Sequence, residues 1–146
     1  MDVRKTLEDQ VGRRLLGVHE WAYKASHGRV GHSIAGVKML LLSTTGAKTG
    51  LRRTHALLYV EDEGNYAVFG SNGGAPAHPA WYHNLRANPE AEVQLGREVR
   101  KVRARDAEGD ERDRIWKRGD RLNRGGYSAY QTRTERRIPV VVLEPL

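Results

Sequence analysis

The residues of this chain that are best suited to chemistry lie in two glycine-rich loops, residues 46–52 and 70–79. The first loop contains Lys48 and Thr49 and ends beside Arg53, so cations and a hydroxyl stand close together along the chain. Cations, hydroxyls and exposed backbone N–H groups can bind phosphate or carboxylate oxygens, and glycine lets the main chain approach a ligand closely. This composition predicts a site for an anionic ligand that carries a flat ring. A plain basic surface hairpin is the alternative for the first loop.

The second loop continues into a predicted helix that begins near Pro79. The backbone N–H groups of residues 71–74 could face a ligand, and the start of a helix adds free N–H groups and partial positive charge. Trp81 falls in the first turn of that helix, where its indole could form a wall beside a planar ring. Core packing is the commoner role of a single tryptophan, so both interpretations of Trp81 stay open.

Two tyrosines near the end of the chain are candidates for proton transfer. Tyr127 and Tyr130 are separated by a spacing at which two side chains can share one face of a helix. A phenol can donate a proton or a hydrogen bond to a reacting oxygen. Surface packing is the alternative role for both side chains.

Several other kinds of active site lack the residues they need. The chain has no cysteine, which excludes disulfides, thiolate metal sites and thiol catalysis. His78 and His83 have a poor helical spacing for one metal, there is no HExxH, and the other histidines form no ligand pattern, so no metal site is predicted. The sequence has neither GxSxG nor a GxGxxG after a strand, and residues 46–50 lack the spacing of a P-loop.

Composition and charge narrow the class of protein further. The chain has 146 residues, 38% apolar and 29% charged, which fits one globular domain. It has no apolar run long enough to span a bilayer, and its start, MDVRKTLEDQ, lacks the apolar core of a secretory signal, so we predict a cytoplasmic location. The net charge of +7 favours anionic partners. The basic run over residues 97–105 has no stacking aromatics, which argues against nucleic acid as the partner.

The order of predicted elements indicates a small barrel. Hydrophobic spacing predicts helices over residues 3–25, 79–87 and 108–122, and six strands over residues 37–45, 53–60, 65–71, 91–95, 98–104 and 138–143. Short connections make most of the sheet antiparallel. The prediction is an α+β fold, a mostly antiparallel six-stranded barrel with covering helices. We assign residues 1–27 to an N-terminal amphipathic helix and residues 28–146 to the barrel.

Together these segments resemble a known family. The pattern LLLSTTGAKTG, then SNGGAPAHPAWYHNLRANPE, then a YxxY pair and IPVVVLEP resembles the deazaflavin-dependent nitroreductase family of actinobacteria. The similarity extends from about residue 28 to the C-terminus. It implies a split β-barrel like that of FMN-binding oxidoreductases.

The resemblance also implies a cofactor and the residues that bind it. The cofactor would be coenzyme F420, an 8-hydroxy-5-deazaflavin with a phosphate and an oligoglutamate tail, with FMN less suited. Carried onto this chain, the family pattern implies coenzyme contacts at Lys48, Thr49, Gly50, Arg53, Thr54, Ala56, Leu58, Gly70, Ser71, Asn72, Gly73, Trp81 and Asn84. Lys48, Thr49 and Arg53 would hold the phosphate. Tyr127 and Tyr130 match family tyrosines on the substrate side of the ring, which implies a catalytic role.

The implied activity is hydride transfer from reduced coenzyme F420 to an electron-poor acceptor, such as a quinone, an activated alkene (an enone) or a nitroaromatic compound. The alternative is a non-enzymatic carrier of deazaflavin or FMN. Two further partners are left open by the resemblance. One is a second copy of the chain in a homodimer, and the other is the inner face of the plasma membrane, reached peripherally through the N-terminal helix.

Overall fold

The computed structural model describes residues 33–34 and 37–146 of the chain. The predicted helix over residues 3–25, and with it the boundary between residues 1–27 and 28–146, lies outside the described residues. No helix among the residues described is both long and apolar enough to cross a membrane.

Eight strands form one curled sheet: β1 (Ser33–Ile34), β2 (Val37–Thr45), β3 (Arg52–Leu58), β4 (Val60–Asp62), β5 (Asn65–Phe69), β6 (Glu90–Leu95), β7 (Glu98–Asp106) and β8 (Val140–Pro145). Three helices accompany it: α1 (Ala80–Ala87), α2 (Gly109–Leu122) and α3 (Gly126–Gln131). A short 3-10 turn, Asn72–Gly74, precedes α1. The sequence did not predict α3 as a helix.

The order of the strands closes the sheet on itself. Along the sheet the order is β1-β2-β6-β7-β8-β5-β4, with β3 also paired to β2, and every pairing is antiparallel. Only Tyr59 separates β3 from β4, so the chain passes directly from one end of the sheet to the other. The sheet must therefore curl, and the predicted split barrel is confirmed.

The predicted number of six strands was wrong, because the sheet has eight. One additional strand, β1, lies between the predicted helix over residues 3–25 and the predicted strand over residues 37–45, where no strand was predicted. The other arises because the predicted strand over residues 53–60 divides at Tyr59. There the chain stops pairing with β2 and begins to pair with β5. This change of partner depends on tertiary structure, so local sequence carries no signal for it.

Two apolar cores lie on opposite faces of the sheet. The inner core fills the barrel and contains Leu40, Leu42, Tyr59, Tyr66, Val68, Trp81, Tyr82, Leu85, Val93, Val102, Val141 and Leu143. The outer core contains Val60, Ala67, Phe69, Ala107, Ile115, Tyr127, Val140 and Val142, so it takes residues from α2 and α3 as well as from the sheet. Strand β2 is buried on both faces, since Leu40, Leu41 and Leu42 are each 1% exposed or less, as its continuous apolar run predicted.

Candidate active site

The first glycine-rich loop is the tip of the hairpin that joins β2 to β3. The hairpin closes where Thr45 pairs with Arg52, and the Gly46 N–H donates to the Leu51 carbonyl over 2.8 Å. Gly50 has φ +71°, a left-handed conformation that glycine adopts without strain. The tip is therefore a tight turn of fixed shape, and it holds Lys48 exposed to solvent.

Two cations on this hairpin have no counter-ion among the described residues. Lys48 and Arg53 are exposed, and neither forms an ion pair with any residue in the described part of the chain. By contrast, the neighbouring Arg52 pairs with Glu92 over 2.6 Å. Lys48 and Arg53 are the two charges that the hairpin can offer to an anion.

A buried amide anchors the hairpin tip to helix α1. Asn84 is 7% exposed; its Oδ1 accepts from the Ala47 N–H at 2.9 Å, and its Nδ2 donates to Thr44 Oγ1 at 3.1 Å. Both ends of the amide are thus bonded to the hairpin. The predicted contact between Asn84 and the coenzyme stays a prediction, while the structure gives this side chain a clear part in positioning the loop.

Strand β3 divides its predicted site residues between two faces. Directly opposite residues of an antiparallel pair share a face, so Arg53 lies with Thr44 while Thr54 lies with Ser43. Ala56 and Leu58 follow Thr54 on the same face because side chains alternate along a strand. The Thr54 hydroxyl lies 2.9 Å from Ser43 Oγ. This half-exposed face carries the Arg52–Glu92 ion pair near the hairpin tip and then leads over uncharged side chains to the outer core, against which Leu58 packs.

The second glycine-rich loop packs against helix α3. Its turn places Asn72, Gly73 and Gly74 at φ +47°, +64° and +80°. A Cβ on Gly74 would lie 2.7 Å from the Tyr130 carbonyl oxygen, so this glycine allows the loop to approach the helix. A Cβ on Gly73 would meet nothing within 4 Å, so the adjacent part of the loop stays open. The loop thus connects an open backbone surface to the segment that carries the candidate tyrosines.

Backbone and amide contacts fix the shape of the second loop. The Gly70 N–H donates to the Pro139 carbonyl at 2.9 Å, and Asn72 Nδ2 donates to the Ala77 carbonyl at 3.0 Å. The side chain of Asn72 therefore closes the loop on itself. Its predicted contact with the coenzyme, like those of Gly70, Ser71 and Gly73, stays a prediction.

Arg136 is the residue of this region that the sequence did not reveal. Its guanidinium donates to the carbonyls of Gly70 (3.0 Å), Ser71 (2.7 Å) and Ala75 (2.9 Å), and it lies 3.0 Å from His78 Nδ1. One side chain thus ties the whole second loop to the segment before β8. The loop is more than sixty positions away along the chain, so no local pattern could have indicated this role.

The candidate tyrosines occupy different environments. Tyr127 is 6% exposed and its ring stacks on Phe69, with centroids 4.4 Å apart. Burial raises the pKa of the Tyr127 hydroxyl, and the charges of Tyr130 and Asp120 raise it further, so this phenol keeps its proton at neutral pH. Tyr130 is half-buried and packs beside the same core, under the guanidinium of Arg133 at 5.5 Å.

Trp81 lies in the inner core. It is 4% exposed and belongs to the cluster that fills the barrel, where its ring meets Tyr82 edge to face at 6.4 Å. Of the two interpretations open for this tryptophan, the structure supports packing. Its predicted contact with the coenzyme stays a prediction.

A split barrel with a cationic hairpin, and with an open glycine loop packed against the helix of the candidate tyrosines, defines a class of protein: the split-barrel reductases that bind an anionic redox coenzyme. The family model of the F420H(2)-dependent quinone reductases matches residues 15–145. The chain belongs to this family. It is an oxidoreductase, its coenzyme is F420, and the predicted resemblance to deazaflavin-dependent reductases is confirmed.

Individual relatives agree with the family. The chain is 44% identical over 146 residues to the F420H(2)-dependent quinone reductase Rv1261c of Mycobacterium tuberculosis, covering 98% of each chain. A solved structure described as the F420-H2 dependent reductase FDR-A superposes with a TM-score of 0.66 at 45% identity, covering 73% of this chain and 93% of that one. Another, described as a domain-swapped dimer, has a TM-score of 0.70 at 36% identity and covers 98% of this chain and 100% of the other.

The residues present fit this coenzyme chemically. Its phosphate and glutamates need cations that no internal carboxylate neutralises, and Lys48 and Arg53 meet that condition among the described residues. Its flat ring needs an uncharged surface with backbone close by. Beyond the Arg52–Glu92 pair, the face of β3 is formed by the uncharged Thr54, Ala56 and Leu58, and the loop at Gly73 supplies the open backbone.

Proposed function

We propose that this chain reduces quinones with hydride from reduced coenzyme F420, in the region bounded by the hairpin tip, the outer face of β3, the second loop and α3. The observation that carries the proposal is the pair of unpaired cations, Lys48 and Arg53, on a hairpin that buried Asn84 holds in place. An anchored loop loses little conformational freedom when it binds a flexible anionic tail, which favours affinity.

The binding residues divide into two groups. Lys48, Thr49, Gly50 and Arg53 hold the phosphate of the tail through charge and backbone N–H groups. Thr54, Ala56 and Leu58 would hold the ring, together with the backbone of Gly70, Ser71, Asn72 and Gly73. When bound in its reduced form, the coenzyme supplies a hydride, while the protein orients it and excludes water.

The tyrosines supply the proton that hydride transfer alone does not provide. A quinone that accepts a hydride also needs one proton to become a hydroquinone, and the negative charge develops on its oxygen. A phenol that keeps its proton can donate a hydrogen bond to that oxygen and then the proton itself. Tyr130 is the more accessible donor, and Tyr127 supports it from the buried side.

We extend the proposal to two other classes of acceptor and to a homodimer. Enones and nitroaromatic compounds also develop negative charge on oxygen during reduction, so we include them among the acceptors. A structural relative is described as a domain-swapped dimer, which supports a homodimer for this chain. Peripheral membrane contact through residues 1–27 stays a prediction.

The first test concerns coenzyme binding. Lys48→Gln and Arg53→Gln should each raise the Kd for F420 by about tenfold, because each removes a charge-assisted contact. The measurement is quenching of F420 fluorescence, with FMN titrated in parallel. Arg52→Gln is the matched control, since Arg52 is already paired with Glu92, and its Kd should change less than about twofold. If all three variants bind F420 with equal affinity, the hairpin does not hold the anionic tail of the coenzyme.

The second test separates catalysis from binding. Tyr130→Phe and Tyr127→Phe should lower the kcat of menadione reduction by at least about tenfold and leave the Kd for F420 unchanged. The Tyr127 hydroxyl forms no hydrogen bond with a described residue, so Tyr127→Phe should fold as well as the parent chain. A lower kcat in this variant would then show that the hydroxyl takes part in the chemical step. If both variants turn over at the parent rate, neither tyrosine is catalytic.

A further inference from the structure

A cavity of about 440 Å³ lies between α2 and α3, away from the hairpin and the second loop. Its lining includes Arg112, Asp113 and Trp116 from α2, Gln131 at the end of α3, and Arg137. A volume of this size is within the range of small-molecule sites in proteins, which is roughly 300–1,000 Å³. None of the coenzyme or substrate residues assigned above lines it.

The cavity contains a buried cation that has no partner in the described part of the chain. Arg112 is 8% exposed, and its guanidinium forms no hydrogen bond or ion pair with any described residue. The other buried charge of the described segment, Asp62, behaves differently, because Arg114 and Arg118 both bond to it. An unpaired buried charge is costly, so a protein that retains one usually supplies it with a ligand or a counter-ion.

The remaining polar groups of the cavity are already occupied. Ser128 Oγ donates to Asp120 Oδ2 at 2.6 Å, and Thr132 Oγ1 donates to the Ala129 carbonyl at 2.6 Å. The side-chain amide of Gln131 uses both its nitrogen and its oxygen on backbone groups. Among the described residues that line the cavity, Arg112 is therefore the charged donor that has no hydrogen-bond or ion-pair partner.

The surroundings of Arg112 define the kind of ligand. Its guanidinium carbon lies 5.3 Å from the centroid of the Trp116 ring, so an apolar, planar surface adjoins the cation. Arg137 is paired with Glu108 at 3.1 Å, and exposed Asp113 adds a negative charge at the rim. The carboxylates of Asp113, Glu108 and Asp106 all act on the Arg112 charge, so this site suits a monoanion better than a phosphate dianion.

We propose that this cavity binds a small aromatic carboxylate, whose carboxylate pairs with Arg112 and whose ring lies against Trp116. Guanidinium and carboxylate match each other in a planar, two-bond geometry, and indole provides stacking for the ring. Burial is the largest cause that lowers the pKa of Arg112, followed by the charge of Arg137, while the carboxylates of Glu108, Asp113 and Asp106 oppose them without restoring the ordinary value. A carboxylate bound directly to the guanidinium would offset the cost of burying this cation.

The test compares a carboxylate with its neutral analogue on the native chain. With F420 present at saturation, so that the coenzyme site is filled, 2-naphthoate and 2-naphthamide are titrated by calorimetry. We expect 2-naphthoate to bind at least about tenfold more tightly, because the amide cannot pair with Arg112. Equal affinity for the two compounds, or no binding of 2-naphthoate at millimolar concentration, would overturn the proposal.

Variants then locate the site. Arg112→Gln should weaken 2-naphthoate at least about tenfold, whereas Arg121→Gln, an exposed arginine on the same helix, should leave binding unchanged. Undiminished binding by Arg112→Gln would refute the assignment. If this variant does not fold, the naphthoate and naphthamide comparison on the native chain decides alone. Inorganic phosphate is the third probe, and if it displaces 2-naphthoate at equal concentration, the assignment to a carboxylate is wrong.

Discussion

At the scale of single residues, one arginine determines the form of the second loop. Arg136 gives hydrogen bonds to three carbonyls that belong to residues 70–75. Such carbonyls would otherwise need water or a rearranged turn, because a partly buried acceptor without a donor is unfavourable. The loop can therefore contain several residues with positive φ and still keep one shape.

Replacing Arg136 by Gln should lower the free energy of unfolding by about 2–4 kcal/mol, since at least two charge-assisted hydrogen bonds are lost. Because the loop then loosens, the Kd for F420 should also rise several-fold. Urea denaturation and F420 titration measure the two effects. Arg97→Gln, an exposed arginine in the β6–β7 turn, is the matched control and should change neither quantity.

His78 makes the same loop sensitive to pH. Its Nδ1 faces the Arg136 guanidinium at 3.0 Å, and since a guanidinium can only donate, this nitrogen must be unprotonated. Burial is the largest cause that lowers the pKa of His78, followed by the charges of Arg136 and His83, while Asp106 opposes them. The folded protein thus binds this proton less readily than the unfolded chain does.

The sign of the effect follows from this difference. The stability associated with His78 is fully present above the unfolded pKa of about 6.5 and is lost as the pH falls through the lower pKa of the folded state. Between pH 7.5 and pH 5 we expect the Tm of the parent chain to fall by on the order of a few degrees more than that of His78→Gln, whose amide can still accept the bond. Calorimetry measures this. His83→Gln should retain most of the parent's pH dependence, because burial lowers the pKa of His78 more than the charge of His83 does. The expectation fails if His78→Gln shows the parent's full decrease.

At the scale of elements, the contact between β5 and α2 positions the candidate tyrosines. Gly119 of α2 faces the ring of Phe69, and a Cβ there would lie 2.7 and 2.8 Å from its Cε2 and Cε1 atoms. The other side of this ring is stacked on Tyr127. The absence of a side chain at one position of the helix thus allows the aromatic layer to form.

Gly119→Ala should lower the free energy of unfolding by about 1–3 kcal/mol, because the added methyl forces the Phe69 ring to move. This cost exceeds the gain of up to about 1 kcal/mol that alanine brings to a helix interior. Since Tyr127 moves with the ring, kcat should fall as well. Lys117→Ala on the exposed side of α2 is the control for helix propensity, and it should leave stability and turnover close to those of the parent.

Local patterns predicted most of these elements. The continuous apolar run gave β2, alternation gave β7, and the acidic first turn with Ile115 gave α2. Helix α3 was missed because its GYSAYQ sequence begins at a glycine pair and has no capping residue, so it depends on packing against α2 and the second loop.

At the scale of the whole molecule, the sequence predicted the two glycine-rich loops but not the contacts that hold them in place. Lys48, Arg53 and the glycines are visible because composition and local spacing reveal them. Asn84 and Arg136 hold the two loops through contacts that only the folded chain creates. Folding also buries Arg112 without giving it a partner among the described residues. The neighbours of these residues in the sequence therefore cannot predict their roles.

The ion pairs of the basic strand β7 also could not be predicted from the sequence alone. The basic run over residues 97–105 was open to interpretation as a solvated edge or as a nucleic-acid surface. In the structure Arg100 pairs with Glu98, Arg103 with Glu90, and Arg105 with both Glu111 and Glu144. Most of this strand's positive charge is therefore neutralised within the fold, which favours the solvated edge.

The anchoring of the hairpin by Asn84 has a consequence for how such a reductase can diverge. Because the buried Asn84 amide maintains the turn, the exposed residue Lys48 does not contribute to folding and can be substituted. Substitutions there would alter which anionic tail is preferred at little cost to stability, so related chains can acquire new redox partners while the barrel stays the same.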